Sequence, residues 1–291
     1  MGRYLFDKVS VIGSGKIAFL CADYCMNKFN IRTELFETSL KQSSFLKKNC
    51  DSAHIDYYCI DKDSLEKKLL EQKARQLILS VFNPYILSSS LINKDNVMMI
   101  NLHHGLLPYH MGRYAEAWAI YEQDEYSGIT WHILTEAVDK GDILIQKKIR
   151  LTDNLTSVML LNKLNNLAYS AFCEIVDSIM DGSYKTFPQK KIQKHTFHFS
   201  TDSPNNGILD IKWEGRKISA FLRAYDYRVN SPFCEPYLFH DGKKYQWNKY
   251  RIVSIQNAVE KIIIKNDIIT IKKKDIDIIL SGIREVPIEN V

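Results

Sequence analysis

The sequence predicts an α/β fold with a mostly parallel sheet, followed by a small C-terminal β-rich domain. Three observations carry this prediction. An apolar strand, a glycine-containing turn and a helical pattern open the chain between residues 8 and 28. Two short apolar runs, Leu77–Val81 and Val97–Ile100, have the composition of strands covered on both faces. From residue 236 onwards, short strand-like segments separated by turn residues replace this pattern.

The opening elements are those of a βαβ unit. Lys8–Ile12 predicts a buried strand, Lys16–Lys28 has apolar residues at a helical spacing, and Ile31–Phe36 predicts the next strand. The turn Gly13-Ser14-Gly15 precedes the helix, and its backbone amides can bind a phosphate group. A plain tight turn is the alternative, because Ala18 stands where a dinucleotide fingerprint has its third glycine.

A long helix and a change of pattern organise the second half of the chain. Thr156 is a predicted N-cap, apolar residues then recur on one helical face, and Gly182 ends the helix. Residues 183–206 are polar and predict a linker. Beyond a short helix at Lys217–Tyr225, the predicted strands are Pro236–Phe239, Lys244–Trp247, Lys249–Ile255, Val259–Ile264, Ile268–Lys272 and Ile276–Leu280. We therefore predict a first domain over residues 1–205 and a small β-rich domain over residues 206–291.

Composition restricts the kind of protein that this chain can be. Its 291 residues are 45% hydrophobic and 25% charged, which suffices for a core and excludes disorder throughout. Lys and Arg number 39 against 34 Asp and Glu, and the basic residues are scattered, so no nucleic acid partner is expected. The N-terminus lacks the apolar run of a signal peptide, no apolar stretch reaches about 18 residues, and the six cysteines form no C-x-x-C pair. We expect a cytoplasmic protein with reduced thiols, without membrane contact and without a bound metal.

The residues best suited to catalysis lie between positions 100 and 149. Asn101 and His103 are two residues apart at a strand end, so their side chains point to the same side. An amide can donate to a developing oxyanion, and an imidazole can exchange a proton near neutral pH. Asp139 lies on a turn ahead of the predicted strand Ile143–Ile149. Together the three side chains would suit attack of an amine on an activated acyl group.

Each of these residues also has an ordinary structural interpretation. An Asn-x-His pair at a strand end can be a hydrogen-bonding pair, and Asp139 can be a turn residue. Trp118 and Tyr121 have helical spacing and are interpreted as core residues rather than a stacking site. His132, within the predicted strand Gly128–Leu134, is interpreted as a structural histidine.

A longer pattern favours the catalytic interpretation. The run Asn101-Leu102-His103-His104-Gly105-Leu106-Leu107-Pro108, followed by Gly112 and Trp118-Ala119-Ile120, resembles the N-x-H-x-S-L-L-P signature of the N10-formyltetrahydrofolate-dependent formyltransferases. Gly128-Ile129-Thr130 and Asp139-Lys140-Gly141 are similar to that family's G-[VI]-T and D-x-G elements, in the same order. The resemblance covers about residues 10–150 and implies a Rossmann-like formyltransferase core.

Departures from the family pattern concern the substrate. Gly105 replaces the usual serine, and His104 stands where a small residue or proline is usual. Either His103 or His104 could be the histidine of the N-x-H signature. The spacing of two residues from Asn101 selects His103. The usual K-x-R-G stretch is Tyr109-His110-Met111-Gly112-Arg113, which alters the contacts expected around the acceptor.

The resemblance implies a role for each matched residue. His103 would remove a proton from the attacking amine or stabilise the tetrahedral intermediate, Asn101 would donate to its oxyanion, and Asp139 would orient the imidazole. N10-formyltetrahydrofolate would be the co-substrate, and no metal is required. The predicted contacts of N10-formyltetrahydrofolate are Phe82, Asn83, Tyr85, Leu87, Leu106, Thr135, Val138 and Asp142. The predicted contacts of the acceptor are Gly13, Ser14, Gly15, His104, Tyr109, Gly112 and Arg113.

The resemblance leaves the amine acceptor open. A nucleotide-linked amino sugar is preferred, because a compact β-rich domain follows the core and the basic bias is modest. An amino acid, a hydroxyornithine-like amine or a carrier-bound aminoacyl amine is the alternative. Methionyl-tRNA is disfavoured, because Arg113 alone is basic where that subgroup has a basic loop. A non-catalytic folate- or nucleotide-binding regulator is the alternative from another class. The β-rich domain is expected to serve acceptor recognition or a homodimer.

Overall fold

A computed structural model of the protein describes residues 4–38, 43–190, 196–255 and 259–288. Its first elements are β1 (Lys8–Gly13), α1 (Gly15–Phe29) and β2 (Arg32–Glu37). Every residue of β1 is buried, as expected for an apolar strand inside a parallel sheet. The predicted strand–turn–helix–strand opening is confirmed.

The remaining elements mix helices and strands at first and are mainly strands towards the C-terminus. The helices are α2 (Ser44–Ala53), α3 (Lys62–Leu70), α4 (Ser89–Ile92), α5 (Ala115–Tyr121), α6 (Ser157–Asp181) and α7 (Gly215–Tyr225). The strands are β3 (Asp56–Cys59), β4 (Gln76–Val81), β5 (Val97–His103), β6 (Met111–Gly112), β7 (Tyr126–Ile133), β8 (Ile143–Arg150), β9 (Phe197–His198), β10 (Tyr237–His240), β11 (Lys243–Gln246), β12 (Lys249–Ser254), β13 (Lys261–Lys265), β14 (Ile268–Lys272), β15 (Ile276–Ser281) and β16 (Arg284–Val286).

A seven-stranded sheet has the strand order β3-β2-β1-β4-β5-β7-β8. Strands β1 to β5 are parallel, and β7 runs antiparallel to β5. The winding direction reverses between β1 and β4, and open α/β sheets bind ligands beyond the carboxyl ends of the strands at such a point. The predicted fold class is confirmed: a mostly parallel sheet in an α/β arrangement, with β-rich structure towards the C-terminus.

Apolar residues on one face of this sheet pack against α3. Ile12, Phe36 and Ile78 come from the three neighbouring strands β1, β2 and β4 and are fully buried. Leu65 and Leu69 lie one turn apart on α3 and belong to the same cluster. Burying a side chain of this size stabilises a fold by about 1.5–3 kcal/mol. The cluster therefore fixes the positions at which β1 and β4 end.

The sequence does not predict α2, β3, α3 or β16. Strand β3 lies at the edge of the sheet, and none of its four residues is fully buried. Helix α3 contains three lysines and only a narrow apolar face, and β16 has three residues. Short elements of this kind are stabilised by packing on their neighbours rather than by their own pattern, which explains why the sequence alone does not reveal them.

Helix α6 is the long helix that the sequence predicts between Thr156 and Gly182. The hydroxyl of Thr156 accepts a hydrogen bond from the N–H of Met159 at 3.4 Å, as an N-terminal cap does. Gly182 follows the helix with a φ of +82°, the conformation that commonly ends helices. Leu164 and Phe172 are fully buried, so the predicted apolar face is confirmed. Among the helices of the described ranges, none is long and apolar enough to cross a membrane.

Two compact units divide the chain, and both are assembled from separate stretches. The first comprises Met1–Gly112, Gly128–Lys148 and Lys163–Phe197, and the second comprises Arg113–Ser127, Ile149–Asn162 and His198–Val291. The predicted division at residue 205 stays a prediction. Residues 191–195 of the predicted linker lie outside the described residues.

The second unit has an aromatic core and two antiparallel sheets. Its sheets have the strand orders β10-β11-β16 and β12-β15-β14-β13. The ring centroid of Phe221 on α7 lies 6.4 Å from that of Tyr121 on α5 and 5.9 Å from that of Trp213. The six strands predicted after residue 235 are all present, with ends that differ by at most two residues.

Gly13 ends β1 at a position where a side chain does not fit. A Cβ atom there would lie 1.6 Å from the carbonyl oxygen of Val81, at a φ of +148°. We expect Gly13→Ala to lower the free energy of unfolding by about 3 kcal/mol or more, because two backbone segments would have to separate. Gly15→Ala is the control, since its Cβ would meet nothing within 4 Å and only its φ of +76° is unfavourable, at a cost of about 1–2 kcal/mol. Urea unfolding measures both variants, and equal losses would contradict the steric explanation.

Candidate active site

Several of the predicted site residues lie at the carboxyl ends of the parallel strands. Strand β1 ends at Gly13, β4 at Val81 and β5 at His103, and these three strands are neighbours in the sheet. The turns that follow parallel strands leave the same edge of a sheet, where ligands bind. The turn Gly13–Gly15 and the segment Phe82–Leu87 therefore begin at the edge that carries His103.

Strand β5 presents Asn101 and His103 on one face, because side chains alternate along a strand. Its antiparallel pairing with β7 places His132 opposite Asn101 and Thr130 opposite His103. The His103 side chain is buried and Asn101 is half-buried. The same-side arrangement that the sequence predicts for Asn101 and His103 is therefore present.

The His103 imidazole has one ring nitrogen that faces a carboxylate and one that makes no hydrogen bond to the described residues. Its Nδ1 lies 3.4 Å from Oδ2 of Asp139. Its Nε2 is buried and has no hydrogen-bond partner among the residues that the structure describes. An unpaired buried polar atom costs about 1–3 kcal/mol, a cost that a bound ligand removes. Because a carboxylate only accepts, Nδ1 carries the proton and Nε2 presents a lone pair that can take up another.

Asp139 is held by its backbone conformation and by Gly112. Its φ of +55° lies in the left-handed region, which Asp tolerates better than most residues. The N–H of Gly112 donates to Oδ2 of Asp139 at 2.7 Å. Burial raises the pKa of Asp139, but the adjacent His103, the adjacent His132 and the Gly112 N–H together outweigh it and lower that pKa to about 2. The carboxylate is therefore ionised at neutral pH.

Burial and charge act in opposite directions on His103. Burial lowers the pKa of His103, and the Asp139 carboxylate opposes this shift. His132 lowers the pKa of His103 further, and a hydrogen bond with the backbone of His110 raises it. The resulting pKa lies below the ordinary histidine value, so the imidazole is neutral at neutral pH and Nε2 is free to accept a proton.

His132, interpreted from the sequence as a structural histidine, lies within this arrangement. Its Nδ1 lies 2.9 Å from the carbonyl oxygen of Ile133, and since a carbonyl only accepts, Nδ1 carries the proton. Its Nε2 then accepts from Nδ2 of Asn101 at 3.1 Å and lies 3.4 Å from Oδ1 of Asp139. His132 therefore fixes the orientation of the Asn101 amide. The sequence predicts the strand over residues 128–134 that carries His132. It does not predict the register between β7 and β5 that brings His132 into contact with Asn101.

His104 is held by packing and by a hydrogen bond through its Nε2. Its ring stacks on Phe82 with centroids 4.6 Å apart, and its Nε2 lies 3.0 Å from Oδ1 of Asn165. Burial and then the neighbouring His103 lower the pKa of His104 to about 4, so its ring is neutral and Nε2 donates to Asn165. Of the two adjacent histidines, His103 is the one whose Nε2 lacks a partner among the described residues.

Comparisons with known proteins agree on one family. Residues 40–176 match the family model for formyl transferases. Over this stretch, which is just under half of its length, the chain resembles the formyl transferases. Methionyl-tRNA formyltransferase of Agathobacter rectalis is 28% identical over 170 residues, which are 58% of this chain and 53% of that protein. GDP-perosamine N-formyltransferase of Brucella melitensis is 27% identical over 146 residues, which are 50% of this chain and 54% of that protein. The chain thus spans about half the length of the curated relatives it matches.

Solved structures of N-formyltransferases share the fold over nearly the whole chain. The N-formyltransferase from Helicobacter canadensis, in complex with folinic acid and dTDP-3-aminofucose, has a TM-score of 0.76 at 18% identity and covers 94% of this chain and 98% of its own. WlaRD, a sugar 3N-formyl transferase in the presence of dTDP and 5-N-formyl-THF, has a TM-score of 0.71 at 15% identity and covers 98% of this chain and 99% of its own. At these identities the similarity is one of fold.

The first group of predicted folate contacts in the formyltransferase domain follows β4 and β5. Phe82 has a φ of +55° and stacks on His104. Asn83 forms a tight turn, in which its Oδ1 accepts from the N–H of Tyr85 at 3.0 Å. Leu87 is buried in the core cluster, and Leu106 is half-buried. Phe82, Asn83 and Tyr85 are the partly exposed residues of this group that precede Leu87.

The second group lies on the loop between β7 and β8 of the formyltransferase domain. The hydroxyl of Thr135 donates to the carbonyl of Ala137 at 3.0 Å, which shapes the start of the loop. Val138, beside the buried Asp139, is 38% exposed. Asp142 is exposed, and its carboxylate accepts from the hydroxyl of Thr186 at 3.4 Å.

The predicted acceptor contacts differ in their exposure and in the hydrogen bonds they make. In the turn Gly13-Ser14-Gly15, the N–H of Ser14 donates to the carbonyl of Val81 at 3.2 Å, and its side chain makes no cap to α1. Gly112 contacts Asp139 through its N–H, as described above, and Tyr109 is 54% exposed. Arg113 belongs to the second unit.

Gly105, which replaces the usual serine of the family signature, lies in a hydrogen-bonded loop. The hydroxyl of Thr130 donates to the Gly105 carbonyl at 2.7 Å and accepts from the N–H of Leu107 at 3.2 Å. The side-chain amide of Gln146 donates to the Leu107 carbonyl at 2.8 Å and to the Thr130 hydroxyl at 2.9 Å. The loop after His103 is therefore held without a serine side chain. In the described parts of the chain, no group of three or more His, Cys, Asp or Glu residues could hold a metal ion.

Proposed function

We propose that the protein transfers the formyl group of N10-formyltetrahydrofolate to a primary amine of a small molecule, with a nucleotide-linked amino sugar as the acceptor. The observation that carries this proposal is the arrangement of Asn101, His103 and Asp139. A buried imidazole presents an Nε2 that has no hydrogen-bond partner within the described ranges, an ionised carboxylate lies behind it, and an amide lies on the same strand face. A protein that only bound its ligands would not need this arrangement, which disfavours the regulator alternative.

The residues beyond the strand ends suit a folate. Ile86 is 69% exposed in the segment after β4, and Val138 is 38% exposed in the loop after β7. A pterin ring has apolar faces, so an exposed apolar side chain can pack against it. When bound, N10-formyltetrahydrofolate would supply the acyl carbon that an amine attacks. The folate ligands of the Helicobacter canadensis enzyme and of WlaRD support this co-substrate.

Each side chain of the site then has a distinct task. His103 accepts a proton from the acceptor amine at Nε2. Asp139 stabilises the imidazolium that results, since its carboxylate lies 3.4 Å from Nδ1. Asn101 donates an N–H to an oxygen that gains negative charge, a contact that is typically worth about 3–4 kcal/mol. His132 holds the Asn101 amide in the orientation that this donation requires.

Four observations support a nucleotide-linked amino sugar as the acceptor. The Helicobacter canadensis structure contains dTDP-3-aminofucose, WlaRD was crystallised with dTDP, and the Brucella melitensis relative is a GDP-perosamine N-formyltransferase. The turn Gly13–Gly15 precedes the N-terminus of α1, whose backbone N–H groups can bind a phosphate. The Ser14 side chain does not cap that helix. The formal charge of +5 is compatible with an anionic substrate.

Methionyl-tRNA is the second candidate acceptor, because the Agathobacter rectalis relative is a methionyl-tRNA formyltransferase. Binding of tRNA relies on basic residues that contact phosphates. Between Leu107 and Trp118 this chain has one basic residue, Arg113, so the segment after His103 carries little positive charge. The remaining alternatives keep the formyl transfer and change the acceptor. It would then be an amino acid, a hydroxyornithine-like amine or a carrier-bound aminoacyl amine.

An acceptor panel tests this proposal. The full-length protein is supplied with N10-formyltetrahydrofolate and, in separate reactions, with amino-sugar nucleotides, amino acids and methionyl-tRNA, and tetrahydrofolate release is followed. We expect release with an amino-sugar nucleotide and none from the His103→Gln variant. Release only with an amino acid or with methionyl-tRNA would overturn the sugar assignment. Folate binding without release in any reaction would favour the regulator.

Asn101→Ala is expected to lower kcat by roughly 10²–10³ with little change in KM, because an oxyanion donor acts mainly in the transition state. Steady-state kinetics and a thermal melt of the same sample separate this effect from misfolding. Asn93→Ala is the matched control, since Asn93 is exposed and contacts Glu136 at the surface. An unchanged kcat in Asn101→Ala would remove Asn101 from the mechanism.

A further inference from the structure

The loop that carries Asp139 is held by a residue from the stretch that the sequence marks as a linker. The side-chain Nε2 of Gln189 donates to the backbone carbonyl of Asp139 at 2.7 Å and to that of Gly141 at 2.9 Å. One amide thus bridges two carbonyls on either side of Lys140. Both contacts are made to the backbone and not to the Asp139 side chain, so they fix the backbone conformation of the loop.

The conformation of this loop explains why such a bridge matters. Asp139 has a φ of +55°, a conformation that costs a non-glycine residue about 1–3 kcal/mol. It persists only where contacts with the surrounding structure offset that cost. Gly141 lies against β7, since a Cβ atom there would lie 1.7 Å from the carbonyl oxygen of Ile133. The loop is therefore pressed against the strand at Gly141 and turned sharply at Asp139. The Gln189 amide joins these two points.

The main chain around Gln189 is itself tied to the strand that follows the loop. The N–H of Phe187 donates to the carbonyl of Ile143, and the N–H of Ile143 donates to the carbonyl of Phe187, both at 2.8 Å. The hydroxyl of Thr186 donates to the carboxylate of Asp142 at 3.4 Å. Gln189 is half-buried, two residues beyond this bridge. The backbone hydrogen bonds at Phe187 therefore fix the position from which the Gln189 side chain reaches the loop.

We propose that Gln189 is a positioning residue for the reaction, which acts by holding the Asp139 carboxylate against Nδ1 of His103. The proposal rests on the proposed function, because it assigns a kinetic effect to a contact within that site. A displacement of a catalytic group by about 1 Å can lower a rate by about 100-fold. Loss of the Gln189 bridge is therefore expected to reduce kcat by roughly 10- to 100-fold and to leave KM for the folate nearly unchanged.

The protonation of His103 reports on the position of Asp139. The charged or titratable groups that act on His103 are Asp139, His132, His110 and His104, and Asp139 is the anion among them. Burial lowers the pKa of His103 and the Asp139 carboxylate opposes it, so moving the carboxylate away must lower that pKa further. A residue that merely stabilised the fold would not shift this titration.

The test compares Gln189→Met with Thr186→Val. Methionine has the length of glutamine but no N–H to donate, whereas Thr186→Val removes a neighbouring hydroxyl from the same segment and leaves the Gln189 amide intact. The His103 imidazole is titrated by NMR in each full-length variant, with its signal assigned from its absence in His103→Gln. We expect the pKa of His103 to fall in Gln189→Met and to be unchanged in Thr186→Val. If Gln189→Met does not fold, Gln189→Asn takes its place, because a side chain shorter by one methylene cannot reach both carbonyls.

A double-mutant cycle with Asp139→Asn supplies the second readout. If Gln189 acts through the Asp139 carboxylate, Gln189→Met should cause little further loss of kcat when that carboxylate is already absent. Equal losses in both backgrounds, or a folded Gln189→Met protein with an unchanged His103 titration, would overturn the proposal. A shifted titration in a protein that releases no tetrahydrofolate with any acceptor would instead contradict the proposed function and leave the positioning by Gln189 in place.

Discussion

Replacement of His103 by glutamine is expected to lower kcat by about 10³-fold, within the range of about 10²–10⁴ that positioned proton transfer contributes. Glutamine can occupy a similar volume and can still donate towards Asp139, but it has no basic nitrogen to place where Nε2 lies. The Nε2 atom of His103 is buried without a partner among the described residues, so a substrate amine is the group that it can serve. Folate binding, measured by fluorescence titration, should change little, because the loss concerns the chemical step.

His104→Gln is the matched control for this variant. The ring of His104 stacks on Phe82 and donates to Asn165, so its loss should lower thermal stability and reduce kcat by less than about 10-fold. Steady-state kinetics and thermal melts on both variants provide the comparison. Equal kinetic losses, or a larger one for His104→Gln, would show that the catalytic histidine has been assigned to the wrong neighbour.

Asp139→Asn is expected to reduce kcat by roughly 10²–10⁴, because an amide of the same shape keeps its contact with Gly112 but lacks the charge that stabilises the imidazolium. The pH dependence should also change. If His103 acts as the base, kcat/KM falls as the pH drops below its pKa. The Asp139 carboxylate raises the pKa of His103, so its removal lowers that pKa and moves the acid limb of the profile to lower pH.

Asp142→Asn provides the control within the same loop. Asp142 is exposed and accepts a weak hydrogen bond from Thr186, whereas Asp139 is buried beside two histidines. We expect the Asp142 variant to keep nearly the full kcat and the same pH profile, and any loss of its predicted folate contact should affect KM instead. If Asp142→Asn is the crippling change and Asp139→Asn is tolerated, the alignment of D-x-G on residues 139–141 is incorrect and the triad must be abandoned.

Local pattern was sufficient for most of the fold. The apolar run at Lys8–Ile12 predicts a strand that is observed as β1, and the helical face from Thr156 to Gly182 predicts a helix that is observed as α6. These segments are long and strongly patterned, so the elements follow from the chain itself. Helix α3 and the edge strand β3 were missed, because both depend on packing against the sheet rather than on their own periodicity.

Spacing along the chain was also sufficient for part of the site. Asn101 and His103 occupy one strand, so period two places them on one face in any fold that keeps the strand. His132 and Gln189 had no such signal. His132 contacts Asn101 only because β7 pairs with β5 in a particular register, and Gln189 contacts the Asp139 loop from 50 residues away.

By itself, the sequence determined the α/β class, the order of the main elements, the β-rich C-terminal strands and the candidate residues Asn101, His103 and Asp139, because these follow from local periodicity and from short motifs. Only the tertiary structure decided which nitrogen of His103 lacks a partner in the described part of the chain, how His132 orients Asn101 and how Gln189 bridges the Asp139 loop. Those features depend on strand register and on contacts between side chains and distant backbone carbonyls. Such contacts form between segments far apart in the chain, and their geometry is fixed only when the strands and loops pack together.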